Sequence, residues 1–267
     1  MDAKSLETHS GRVFVPFPSP LQPVRLIQRR NRFVVDVRRD AGAARHVQTA
    51  ALPDIFPLHL PNSGRMTELL QPGTLGLAHV EQRRGRGTAG TLLLVQYQGR
   101  WVSVDARMPN RLFARCLELK ALPPFLGYTE WKAEVSWGQG RVDFLLSPSE
   151  EKLPEKRSRE LPPCLVETKS CNLVVDSLAL FPDAPTARGA RHLRELAEAV
   201  ELGYRAAVVW FVQRDDARAL SPHGKADPVF AEAFREARAR GVEAYAYRCF
   251  VEPRGITVLD EIPVVTP

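Results

Sequence analysis

From Val24 onward the first part of the chain breaks into short apolar runs divided by turn residues. The runs are Leu26-Ile27, Phe33–Val37, Arg45–Ala50, Leu75–Val80, Thr91–Tyr97 and Trp101–Val104. Short runs with Gly-rich turns predict the strands of a small barrel or sandwich. The pattern then changes. Residues 110–121 take helical spacing, with Leu112, Phe113, Cys116, Leu119 and Leu122 on one side. Strands are predicted at 131–137, 141–146 and 164–169. Ala206–Val212 is a continuous apolar run bounded by turns, so it predicts a buried central strand. A helix is expected over 187–202, with Leu193, Leu196, Ala197 and Val200 as its stripe and Gly203 at its end. A second runs over Pro228–Arg240, closed by Gly241, and strands at Val242–Arg248 and Ile256–Leu259 complete the sheet. Residues 148–162 are charged and Pro-bounded, which predicts a mobile loop. Residues 1–20, with Pro16, Pro18 and Pro20 alternating, read as an extended lead-in.

Two of the predicted strands break the apolar rule. Gly140-Arg141-Val142-Asp143-Phe144-Leu145-Leu146 carries an aspartate, and Leu165-Val166-Glu167-Thr168-Lys169 carries a glutamate and a lysine. Side chains alternate along a strand, so Glu167 and Lys169 share one face while Thr168 points to the other. Two carboxylates and an ammonium converging at a sheet edge make a site for a divalent cation and an activated water, which is chemistry suited to a phosphodiester. The residues alone also fit exposed strand charges or a surface ion pair.

Composition adds a partner class. The 267 residues hold 37 Lys plus Arg against 31 Asp plus Glu, a net charge of +6 with a pI near 9.3. This length suits two modest domains, and the basic excess permits a polyanionic partner. The excess is local, at Arg25, Arg29, Arg30, Arg32, Arg38, Arg39 and Arg45 and again at Arg83, Arg84, Arg86 and Arg100. A phosphate-binding face and a merely solvated basic face weigh evenly. Cys116, Cys164, Cys171 and Cys249 form no Cys-x-x-Cys pair and have no His partner at zinc spacing, so buried free thiols are expected. No apolar run reaches membrane-spanning length and no signal-peptide core opens the chain. A cytoplasmic protein without a membrane partner is expected, and a homodimer is left open.

The ordered set Pro61-Asn62-Ser63-Gly64-Arg65-Met66, Pro109-Asn110-Arg111-Leu112, the Asp143 and Glu167-x-Lys169 strands, Phe181-Pro182-Asp183-Ala184-Pro185-Thr186-Ala187-Arg188-Gly189, Phe211-Val212-Gln213-Arg214, Ser221-Pro222 and Asp227-Pro228 closely resembles the sugar fermentation stimulation protein family. The resemblance covers about residues 20–265. It implies an α+β, mixed architecture. An OB-like β-barrel over 21–105 precedes an α/β nuclease-like domain of the PD-(D/E)XK class over 106–267, with a central mixed sheet. It implies nucleic-acid binding and a nuclease cutting DNA, RNA or both with magnesium or manganese. A non-cleaving DNA-binding regulator of sugar catabolism genes is the other reading.

On that resemblance Asp143, Glu167 and Lys169 are catalytic, with Asp143 and Glu167 holding the metal. Glu134 is a candidate third acid, although a surface strand carboxylate fits it slightly better. The family often has an acidic helix residue where this chain has Arg115, and Glu118, one turn on, is a candidate substitute for a second metal position. Gln213, followed by Arg214, is a candidate support for the site. Arg188, Arg191 and His192 lie within about one turn near a helix N-terminus, where they suit phosphate contacts and equally a solvated basic helix face; Arg65 and Arg111 are further candidate nucleic-acid contacts. Pro182-Asp183 follows rather than precedes Glu167, so Asp183 is expected to turn the chain toward the helix. The halves are expected to separate by job, a fragment of about 20–105 binding single strands and the remainder cutting weakly.

Overall fold

The structure, a computed structural model, describes residues 8–9, 12–40, 53–81, 87–148 and 161–266. The strand expected at 45–50, the arginines Arg45, Arg83, Arg84 and Arg86, and most of the charged 148–162 segment lie outside the described residues.

Two short strands open the chain, β1 (Thr8–His9) and β2 (Arg12–Pro16), and they belong to a sheet completed only at the far end of the sequence. The next six are β3 (Gln22–Asn31), β4 (Val34–Arg39), β5 (Ile55–His59), β6 (Leu75–Val80), β7 (Gly90–Tyr97) and β8 (Arg100–Ser103), ordered β5-β4-β3-β6-β7-β8. A parallel contact between His59 and Thr91 joins β5 to β7 and closes five strands into a barrel, with β8 as the hairpin partner of β7. Val24, Leu26, Val35, Val37, Phe56, Leu58, Leu92 and Val95 fill its interior. Two bulges in β3, near Leu26 and Arg29, supply the curvature that closure needs.

The second domain begins with α1 (Met108–Glu118) and a 3-10 turn at Pro123–Phe125. It continues through β9 (Tyr128–Trp137), β10 (Gly140–Pro148), β11 (Cys164–Cys171), β12 (Val174–Val175) and β13 (Leu178–Phe181). It ends with α2 (Ala187–Glu201), β14 (Arg205–Val212), β15 (Ala219–Pro222), α3 (Pro228–Ala239), β16 (Glu243–Glu252) and β17 (Gly255–Ile262). The main sheet runs β1-β2-β17-β16-β14-β11-β10-β9. It is mixed: β11, β14 and β16 are parallel to one another, and the remaining pairings are antiparallel. β12, β13 and β15 make a separate small sheet. Thr186 caps α2 by accepting from Gly189 N at 3.1 Å, and Asp227 caps α3 by accepting from Phe230 N at 3.0 Å.

The lead-in expectation fails at β2. Ile256 of β17 pairs with Val15, and Thr257 with Phe14. Val13, Val15 and Phe17 are buried in the same core as Leu112 and Phe113 of α1. Pro16 ends this strand, paired with Gly255, and Pro18 and Pro20 follow it.

One face of the sheet packs against α1 and the barrel residues Leu93 and Leu94, through Phe144, Val166, Val209 and Phe211. The other packs against α2 and α3, through Val142, Leu165, Val208 and Trp210. Among the described residues no helix is long and apolar enough to cross a membrane.

Candidate active site

The alternation of faces skips at one residue. Val142 packs on the α2 side, yet Phe144 packs on the α1 side. A regular strand would put both on the same face. The break falls on Asp143. Across the hairpin Glu134 takes a left-handed φ of 53°, which marks the same irregularity on β9. The ladder between β10 and β11 runs from Leu146↔Cys164 to Phe144↔Val166 and goes no further. Past that point the strands part. Thr168 N then donates to the Asp143 side chain, Oδ2 at 2.8 Å. Thr168 Oγ1 lies 2.9 Å from the same oxygen and 3.0 Å from the side-chain amide of Asn110 on α1.

On the other face of β11, Glu167 and Lys169 emerge together, as strand alternation predicts. Glu167 is 4% exposed. Its Oε1 accepts from Lys169 Nζ and from His192 Nδ1. His192 is buried on α2, and its Nε2 accepts from Arg188 Nε at 3.2 Å. A guanidinium can only donate, so Nε2 is the bare nitrogen and Nδ1 carries the proton. The chain of contacts is therefore Arg188 to His192 to Glu167, met from the other side by Lys169. Burial alone would raise the Glu167 carboxyl, but the Lys169 charge and the His192 hydrogen bond outweigh it and hold it at about 2.

Asp143, Glu167, Lys169, Asn110 and Arg188 line one cavity of about 540 Å³, whose barrel-side wall includes Arg32, Asn62 and Gly64. The cavity is a cleft between the two domains. Asp183 holds its edge. It accepts from Met66 N at 2.8 Å and lies so near Gly64 that a Cβ there would stand 2.7 Å from Oδ1. Asp183 thus ties the barrel to the second domain as well as lying in the turn before α2. Asn172 makes another tie, donating to the Ser103 carbonyl.

The two carboxylates suit a hard divalent cation. Asp143 uses Oδ2 on Thr168 and Glu167 uses Oε1 on Lys169 and His192, which leaves Oδ1 and Oε2 as ligand atoms. Among the described residues no group of three or more His, Cys, Asp or Glu side chains forms a metal cluster. A cation held here by two protein oxygens keeps room for water and phosphate oxygens, the usual preference of magnesium.

Several expected members stand elsewhere. Glu134 turns to Arg141 at 3.0 Å, with both side chains about two-thirds exposed, because its left-handed backbone swings it off the cleft. Glu118 pairs with Arg115 at 2.7 Å on the exposed side of α1. Arg111 donates to the Pro16 carbonyl at 3.0 Å; its neighbour Asn110, about 100° round the helix, takes the cleft position instead. Arg191 faces Glu195 at 3.5 Å and is not a cleft residue, so the shared side expected for the α2 basic group holds for Arg188 and His192 only. His192 meets Glu167 through Nδ1. Arg65 is next to the lining residue Gly64, and its carbonyl accepts from Arg29 at 2.6 Å. Gln213 is buried and reaches Ser170 Oγ at 3.4 Å, behind the site. Arg214 clamps Asp216 and lies 5.2 Å over the Tyr97 ring of the barrel. All four cysteines are buried free thiols, as expected.

A family model described as "SfsA N-terminal OB domain" matches residues 27–104, and one described as "Sugar fermentation stimulation protein RE domain" matches residues 107–255. The chain belongs to the sugar fermentation stimulation protein family. The family member from Moorella thermoacetica is 41% identical over 251 residues, covering 94% of this chain and 99% of its own. The homolog from Symbiobacterium thermophilum is 44% identical over 263 residues, covering 92% and 96%. The structure of the Pyrococcus furiosus family member, a complex with Ca2+, superimposes with a TM-score of 0.79 at 29% identity, covering 94% of this chain and 98% of that one. The barrel is thus an OB domain of this family, followed by its mixed-sheet domain.

Proposed function

We propose that this family member is a metal-dependent nuclease of the PD-(D/E)XK type, hydrolysing phosphodiester bonds in DNA, RNA or both. The observation that carries this is the parting of β10 from β11 at Asp143. It turns Asp143, Glu167 and Lys169 toward one cleft. The Ca2+ complex of the Pyrococcus furiosus relative supports a divalent cation. Asp143 and Glu167 would hold it, with magnesium or manganese as the working ion. When bound, such a cation polarises a phosphoryl oxygen and lowers the pKa of a water. The chain's own groups do the rest. His192 and Thr168 hold the two carboxylates in place. Lys169 and Arg188 bring positive charge to the cavity wall, where a scissile phosphate gains charge as it is attacked.

The test is incubation of the full chain with plasmid, single-stranded DNA and RNA in magnesium, manganese or EDTA, beside Glu167→Gln purified identically. Cleavage that needs the ion and disappears in Glu167→Gln supports the reading. Binding by the wild type with no more cleavage than Glu167→Gln shows would make the protein a non-cleaving nucleic-acid binder instead.

A further inference from the structure

The tip of the β3–β4 hairpin reaches the cleft, and its Arg32 holds neither carboxylate of the site. Arg32 lines the same cavity as Asp143, Glu167 and Arg188. Arg25, Arg29 and Arg30 on the same hairpin are occupied. Arg25 pairs with Asp40 at 2.9 Å and Arg30 with Asp36 at 2.5 Å. Arg29 donates to the carbonyls of Arg65 at 2.6 Å, Arg32 at 2.9 Å and Asn62 at 3.3 Å. Arg32 has no carboxylate partner among the described residues. It is a cation placed in a cleft without a counter-charge of its own.

The next residue, Phe33, is 50% exposed. A single exposed aromatic is ordinary on any surface. Here the backbone beneath it is fixed from several sides. Phe33 N donates to Asn31 Oδ1 at 2.9 Å, and Phe33 O accepts from Leu60 N at 2.7 Å with His59 Nδ1 at 3.2 Å. Arg29 holds the Arg32 carbonyl. A braced tip that presents one free cation and one free ring loses little entropy when it takes a ligand. A ring face accepts any unpaired base, and a guanidinium accepts a backbone phosphate. Bases inside a duplex are already paired and stacked, so the ring selects for a single strand.

We propose that Arg32 and Phe33 form the entry guide for a single nucleic-acid strand: Arg32 takes a backbone phosphate at the cleft mouth and Phe33 stacks on the neighbouring base. This rests on the nuclease reading above. The test is fluorescence anisotropy of a labelled oligonucleotide of about a dozen residues with the full chain in EDTA, so that nothing is cut. Phe33→Ala is expected to weaken single-strand binding about tenfold, with Phe33→Trp close to wild type. Arg32→Ala is expected to flatten the dependence of log affinity on log salt by about 0.7, the loss of one phosphate contact. A blunt duplex of the same sequence should be almost indifferent to Phe33→Ala. Wild-type affinity in Phe33→Ala and Arg32→Ala, in a protein that still binds and cuts, would overturn the guide and leave the nuclease reading intact. Equal weakening for duplex and single strand would overturn base stacking. A wild-type chain that neither binds nor cuts any nucleic acid would remove the nuclease reading, and the guide with it.

Discussion

Glu167 is the residue on which the site turns, and its environment makes its behaviour calculable in sign. Its ordinary value is 4.5, and although burial opposes ionisation, Lys169 and His192 hold it at about 2. A carboxyl depressed on folding contributes stability that is complete above the unfolded value and is lost as pH falls toward the folded one. Glu167→Gln keeps an oxygen that can accept from Lys169 and His192, so it should fold. The stability difference between wild type and this variant, measured by urea unfolding, should therefore shrink as pH falls from about 5 toward about 2. A difference that stays constant over that window would show that the carboxylate is not held as described. Cleavage near neutral pH should gain no acid limb from Glu167. His192 makes a second prediction. Partners that orient a metal ligand are commonly worth 10–100-fold in affinity, so His192→Leu should weaken manganese binding by about that factor in a calorimetric titration. His192→Asn, whose amide can donate from near the Nδ1 position, should recover part of it. Asp143, Glu167 and Lys169 are legible in the sequence because charge inside a buried strand is conspicuous. His192 is visible there as a residue but not as a partner of Glu167, because a contact between a helix and a strand 25 positions apart leaves no local pattern. Asn110 is hidden behind Arg111, whose charge draws the expectation one step round the helix.

At the scale of elements, periodicity carries most of the second domain. α2, expected at 187–202, spans Ala187–Glu201; α3, expected at Pro228–Arg240, spans Pro228–Ala239. What pattern misses is short or carries proline. β5 has Pro57 at its centre, yet Phe56 and Leu58 on either side are buried in the barrel. β12 is two residues long, and β15 ends at Pro222. These strands are set by their neighbours and not by their own sequence. Elements are also pinned by charge, and burial decides how firmly. Arg205, at the start of β14, makes two 2.6 Å bonds to Glu243 of β16 and one of 2.6 Å to the Pro124 carbonyl, with Phe125 under its guanidinium at 5.1 Å. Its side chain is 17% exposed, against 65% for Arg141 in the pair with Glu134. Arg205→Ala should cost about 2 kcal/mol in urea unfolding, because it strands a partly buried carboxylate and a carbonyl. Arg141→Ala should stay within about 0.5 kcal/mol. Equal costs for the two would refute the ranking by burial.

The whole molecule does not divide where the sequence divides. The OB barrel and the mixed-sheet domain each have a core, but the strand that precedes the barrel completes the sheet that follows it. Val13, Val15 and Phe17 are buried against α1 and the main sheet, and the Pro16 carbonyl accepts from Arg111. The expectation that a fragment beginning near residue 106 keeps weak activity leaves out these contacts. It also leaves out Asn62 and Gly64, which wall the cleft, and the Met66 amide that Asp183 accepts from. Fully burying a large apolar side chain contributes about 1.5–3 kcal/mol, and a domain's whole net stability is about 5–15 kcal/mol. Losing three such side chains therefore removes a large share of that margin and exposes the edge of β17. Deleting residues 1–18 from the full chain should then lower the unfolding midpoint in urea strongly, while the barrel, whose core uses none of those residues, keeps its own transition. Val13→Ala with Val15→Ala in the intact chain should reproduce the direction of the effect at smaller size. A truncated chain that unfolds at the wild-type midpoint would show that β2 is an ornament of the sheet, and that the two halves can after all be separated by cutting between them.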